Sequence, residues 1–126
     1  MSDNDRKEIT ELIGKTLTSV EKTDDELIFV CDDGERYRMF HDQDCCESVT
    51  LDDVTGDLDD LIGSPILRAE ETSSNTNPEG VTKEYQGSFT WTFYKLATVK
   101  SWVDLRWYGE SNGCYSESVD FEEIVP

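Results

Sequence analysis

Residues 102–108 read Trp-Val-Asp-Leu-Arg-Trp-Tyr, so that Val103, Leu105 and Trp107 alternate with Asp104 and Arg106. A period of two marks a strand with one buried and one wet face, because successive side chains of extended backbone point to opposite sides. The same third of the chain holds Phe89, Trp91, Phe93, Tyr94, Tyr108, Tyr115 and Phe121, residues that suit a pleated, half-buried surface. Strands are therefore expected at 88–98, 102–108 and 115–121, joined by turns at Val99-Lys100-Ser101 and Gly109-Glu110-Ser111-Asn112-Gly113. Strand alternation predicts that Phe89, Trp91 and Phe93 pack in the core.

Upstream, 17–21, 26–31 and 35–40 have similar enrichment, and Asp33-Gly34 between the last two reads as a type I′ hairpin turn. Ile9, Leu12 and Ile13 are spaced as on a helix over 5–13, which Gly14 would end. A further strand is expected at 46–51. Residues 52–62 read as a loop and one or two helical turns, with Val54, Leu58, Leu61 and Ile62 inward and Gly63 and Pro65 closing them. Residues 66–71 form another expected strand. The Ser-Ser-Asn-Thr-Asn-Pro-Glu-Gly stretch inside 72–87 is a long polar loop, expected to be flexible, and 1–4 is expected to be disordered. There is no internal repeat. The expectation is α+β, mostly β: one antiparallel-sheet domain spanning 1–126, with a short N-terminal helix and a short helix near 57–62.

The chain has 126 residues and a formal net charge of −18, far beyond the magnitude of roughly 2 to 8 that keeps a small domain soluble. Between Arg38 and Arg68 there is no Lys or Arg, only acids: Asp42, Asp44, Glu47, Asp52, Asp53, Asp57, Asp59 and Asp60. Such a surface repels phosphate backbones and anionic lipid, which disfavours direct nucleic-acid or membrane binding. No apolar run approaches the ~20 residues that span a bilayer, and the acidic start Met1-Ser2-Asp3-Asn4-Asp5 is unlike a signal peptide. A cytosolic protein with free thiols at Cys31, Cys45, Cys46 and Cys114 is the expectation.

Several blocks match a known pattern in order: His41-Asp42-Gln43-Asp44-Cys45-Cys46-Glu47-Ser48-Val49, then 56–66, then Ser88 to Thr98, then Trp107-Tyr108-Gly109-Glu110-Ser111-Asn112-Gly113. Over roughly residues 25–123 the chain resembles a family of small, functionally uncharacterised proteins of bacteriophages and prophages. The resemblance implies a viral origin, and so the cytoplasm of a bacterial host, but no activity. One departure is Cys114-Tyr115 where that family's pattern has two tyrosines, which argues against an obligatory structural role for Cys114.

His41, Cys45 and Cys46, with Asp44 or Glu47, are ligand types that zinc prefers. Adjacent cysteines on a strand face opposite ways, however, and no Cys-x-x-Cys pair supports them, so no metal and no cofactor is expected. A cysteine nucleophile with His41 as base is opposed by the surrounding acids, which raise a thiol pKa. No catalytic residue is assigned. Asp52, Asp53, Asp57, Asp59 and Asp60 lack calcium-loop spacing and read as a solvated face for a partner. DNA presents about one negative charge per 1.7 Å of axis. The leading functional expectation is that these acids imitate part of that array and occupy a basic, nucleic-acid-binding site on a host protein. The alternative is a small-ligand site, for a nucleotide-like signal or a metal, built from His41, Asp44, Cys45, Cys46, Glu47 and Asn112. A third reading is a homo-oligomer formed through an exposed strand edge.

Overall fold

A computed structural model describes residues 7–23, 25–43, 46–78, 88–113 and 116–124. Eight strands run in order: β1 (Leu17–Lys22), β2 (Glu26–Cys31), β3 (Arg36–Phe40), β4 (Ser48–Thr55), β5 (Arg68–Ser74), β6 (Ser88–Ala97), β7 (Trp102–Ser111) and β8 (Asp120–Glu123). They form two four-stranded antiparallel sheets, β1-β2-β3-β8 and β4-β7-β6-β5. Leu27, Phe29, Tyr37, Met39 and Phe121 from the first sheet and Ala69, Tyr94, Leu96, Val103, Leu105 and Trp107 from the second share one buried core. Phe121 stacks on Tyr37 at 5.3 Å and tilts against Phe29 at 6.2 Å, so β8 closes the first sheet with an aromatic contact as well as with backbone bonds.

The mostly-β expectation holds, but the single sheet with two helices does not. In place of the helices there are two single 3-10 turns, Ile9–Leu12 and Leu58–Leu61. The first stops because the backbone is recruited elsewhere: Gly14 N–H donates to Ile66 O at 2.8 Å, and Ile13 bridges to Ile66. Ile9 and Leu12 are buried as the spacing requires, while Ile13 faces solvent. Residues 1–6 of the expected N-terminal segment lie outside the described residues.

Other boundaries moved for local reasons. β4 starts two residues late and runs on to Thr55, taking up Asp52 and Asp53 through a bulge between Leu51 and Asp53. Bulges let a strand carry polar residues out of register with its neighbour, which the plain alternation rule does not anticipate. β5 starts at Arg68 and absorbs Thr72–Ser74, expected in the loop, because these pair with Phe93, Thr92 and Trp91 of β6. β8 is confined to Asp120–Glu123. At Asp33-Gly34 the hairpin forms, but only Gly34 has a positive φ, at 91°, so a type I′ turn is excluded. Gly34 N–H donates to Cys31 O and Cys31 N–H to Glu35 O, the bonds of a longer turn with one left-handed residue.

A further correction concerns β6. Tyr94 and Leu96 face the core, which puts Phe89, Trp91, Phe93 and Lys95 on the outer face of the sheet, opposite Glu110, Tyr108, Arg106 and Asp104 of β7. Trp91 is buried all the same. Tyr108 lies 4.5 Å from it, the Arg106 guanidinium lies over its ring, and its Nε1 donates to Asn77 Oδ1 at 3.0 Å. Alternation defines two sets of side chains in a strand but not which set meets the other sheet. Among the described residues no helix is long and apolar enough to cross a membrane.

Candidate functional site

The chain passes from the first sheet to the second through residues 41–47 and returns through 112–119. Both crossings leave from the same end, because Phe40 pairs with Asp120 and Ser48 with Glu110. His41 ties them together. Its Nδ1 lies 2.7 Å from Ser118 O and its Nε2 lies 2.7 Å from Glu47 Oε2. The imidazole is 4% exposed and the Glu47 carboxylate 0%. A carbonyl oxygen can only accept, so Nδ1 carries a hydrogen and donates to Ser118. The short contact on the other side then holds one proton between Nε2 and Oε2, giving a buried pair with no net charge. Gln43 Nε2 donates to Glu47 O at 2.5 Å and reaches Oε1 at 3.4 Å, and Asp42 N–H donates to Asp120 Oδ2 at 3.0 Å.

A cavity of about 290 Å³ opens beside this pair, lined also by Asp42, Gln43, Ser116, Ser118 and Asp120. Asn112, expected to complete the motif, is not among its described lining residues. The returning segment takes that place, which sequence reasoning missed because Ser116 to Asp120 carry no motif of their own. Glu117 in that segment anchors it to the second sheet, accepting from Thr90 Oγ1 at 2.8 Å and Ser111 Oγ at 2.5 Å. Burial works to raise its pKa, but the hydroxyl bonds from Ser111, Ser88 and Thr90 outweigh it and hold the carboxyl below the ordinary range. Contact is close enough that a Cβ on Gly109 would sit 2.4 Å from Glu117 O.

Both ring nitrogens of His41 are thus engaged, and to serve as a metal ligand or a general base it would have to give up one of these bonds. Among the described residues no group of three or more His, Cys, Asp or Glu is placed to hold a metal ion. Asp44 and Cys45 lie outside the described residues. Cys46 is disulfide-bonded, which corrects the expectation of free thiols. That expectation came from compartment, not geometry. Cys31 is free and buried, and burial, then Asp33, push its thiol up to about 11.

The acidic candidates begin past the middle of β4, with Asp52 about 16 Å and Asp53 about 20 Å from Glu47 at about 3.3 Å per strand residue, and continue beyond its far end. They divide by role. Asp52 receives Arg106 through two nitrogens, at 2.6 and 2.8 Å, which commits it to holding β4 on β7. Asp57 caps the Leu58–Leu61 turn by accepting from Asp59 N–H at 3.0 Å. Asp53 and Asp59 are exposed and Asp60 is half-buried. The expected helical face is therefore a strand end and a turn. Against it sits the β6–β7 hairpin tip: Thr98 Oγ1 donates to Asp60 O at 2.7 Å, Lys100 Nζ to Ile62 O at 2.5 Å, and a Cβ on Gly56 would meet Trp102 O at 2.7 Å.

A family model described as Domain of unknown function (DUF7448) matches residues 10–121. The chain belongs to that family. The span that defines the DUF7448 domain takes in both crossings, the His41–Glu47 pair, Asp52 to Asp60 and the hairpin tip. No curated protein and no solved structure matches this DUF7448 chain.

Proposed function

We propose that this protein is a phage-encoded, non-catalytic binding protein that works in the host cytoplasm and occupies a basic, nucleic-acid-binding site on a host protein, as an inhibitor of defence or a tool of host takeover. The observation that carries the reading is the run of carboxylates at the β4 end, Asp53, Asp57, Asp59 and Asp60, where Asp52 alone of the five candidates has a cation partner among the described ion pairs. With −18 charges on the whole chain, such a patch attracts a basic surface over a Debye length of about 8 Å at physiological salt. The test is association with host proteins at low and high salt, comparing the native chain with an Asp53→Lys, Asp59→Lys, Asp60→Lys variant. Asp52 and Asp57 are spared because they hold the fold. Salt-sensitive association that the reversal abolishes supports the reading, and association indifferent to it sinks it.

A second reading has one observation in its favour, the cavity of about 290 Å³ beside His41 and Glu47. It would take a small ligand with donors for the Asp42 and Asp120 carboxylates. A nucleotide-like ligand that raises the melting temperature of the native chain but not of a Gln43→Ala variant would favour this reading over charge mimicry.

A further inference from the structure

Of the three tryptophans, Trp91 and Trp107 are 1% and 0% exposed, whereas Trp102 is 58% exposed. It does not stand alone. Arg68, Ala97 and Trp102 form one cross-strand row at the end of the second sheet. Beyond that row, at the same end of the sheet, are Leu67, whose N–H donates to Ala97 O, and Val99 in the β6–β7 turn. Leu67 is 62% exposed and Val99 75%. A large exposed indole at the same sheet end as two bare aliphatic side chains costs solvation free energy unless something covers them.

The surroundings define the cover. Thr98 and Lys100 clamp this tip onto the Asp57–Ile62 segment, so Asp57, Asp59 and Asp60 border it. The two cations at the same end are turned to groups of this chain, Arg68 to Glu70 at 2.5 Å and Lys100 to Ile62 O. The result is an apolar centre with an acidic margin, the anatomy of a protein interface whose aromatic anchor sits inside a polar rim. A second copy is a poor occupant, since two surfaces of the same sign would meet. Nucleic acid and anionic lipid are repelled by the same rim.

We infer that Trp102, with Val99 and Leu67, is the anchor of a docking surface for a basic protein segment whose apolar side chains alternate with Lys or Arg, as on an amphipathic helix. This rests on the proposed charge recognition and adds what charge alone lacks: a directional contact that survives at physiological salt, with the acids steering and the indole holding.

The probe is a synthetic amphipathic helical peptide with Leu on one face and Arg along its flanks, titrated at about 0.15 M salt and followed by the wavelength of tryptophan emission, which shifts when the exposed Trp102 is covered. A saturable blue shift is expected. Trp102→Ala should remove the shift and weaken binding about tenfold or more, read in parallel by anisotropy of a labelled peptide. Replacing the Leu residues by Ser should weaken binding to the native chain by a similar factor and then make Trp102→Ala silent. Undiminished binding to Trp102→Ala overturns the anchor. If that comes with loss of binding to the Asp53→Lys, Asp59→Lys, Asp60→Lys variant, charge recognition stands without it. Loss in Trp102→Ala with none in the reversal variant does the opposite. A dimer in sedimentation that Trp102→Ala dissociates makes a second copy the occupant and overturns the assignment. Trp102 is exposed, so its replacement leaves the core intact.

Discussion

The imidazole of His41 and the carboxylate of Glu47 meet at 2.7 Å in a place that solvent barely reaches. Because Ser118 O occupies the other ring nitrogen, the pair joins three segments at once: the end of β3, the start of β4 and the approach to β8. Its value is the difference between a satisfied pair and a stranded charge.

His41→Ala leaves the Glu47 carboxylate buried without its partner, which should cost about 3 to 5 kcal/mol. Glu47→Gln should cost less than about 1.5 kcal/mol. In that variant the amide oxygen can still accept from Gln43 and the amide nitrogen can donate to His41 Nε2, so the geometry survives with neutral groups. Urea unfolding of the two variants checks the order. Equal losses would mean that the pair matters only as packing.

Gly109→Ala drives a Cβ into backbone, not into a yielding side chain, at 2.4 Å from Glu117 O and 3.1 Å from its carbonyl carbon. The loss should reach the upper end of about 1 to 3 kcal/mol. Since the returning segment must lift off β7, Glu117→Gln should add little on top of Gly109→Ala. A double-mutant cycle reads that coupling.

Glu117 also sets a pH dependence. Its folded-state pKa is held below the ordinary carboxylate range despite burial, through hydroxyl bonds that include Ser111 and Thr90. A depressed pKa stabilises the fold fully above the unfolded value, and that contribution drains away as pH falls through the folded one. The stability gap between the native chain and Glu117→Gln should therefore be open at about pH 7 and narrowed at about pH 3. A gap that widens on acidification would contradict the assignment.

The cysteines give a chemical readout. With its thiol pushed to about 11 and the side chain buried, Cys31 should resist alkylation in the native protein near pH 8 and react on unfolding. Cys46, although exposed, should be labelled only after reduction, because it is in a disulfide. Peptide mapping by mass spectrometry distinguishes the two.

How far the chain can be read without coordinates depended on range. β1, β2, β3, β6 and β7 were legible because a strand's alternation is local, and so was the Asp33-Gly34 reversal. The facing of β6 was not, since Trp91 and Tyr94 are equally aromatic and only the partner sheet decides between them. Asp52 looked like one more surface acid, and its commitment to Arg106 needed the β4–β7 register. His41 stood out by composition, yet the group that engages its Nδ1 is a backbone carbonyl at Ser118, invisible to any motif. Trp102 read as an ordinary strand residue, and only its exposure, shared with Leu67 and Val99 at the same sheet end, set it apart.

The topology has a consequence for synthesis on the ribosome. β4 to β7 are contiguous in the chain, so the second sheet can pair fully as soon as Ser111 has emerged. The first sheet cannot. Phe29 and Tyr37 are made early and lack their Phe121 contact until the end, with the whole of the other sheet translated in between. For that interval the nascent protein displays a β3 edge awaiting β8, which makes the speed of elongation through residues 41–119 a determinant of how long that edge is open to mispairing.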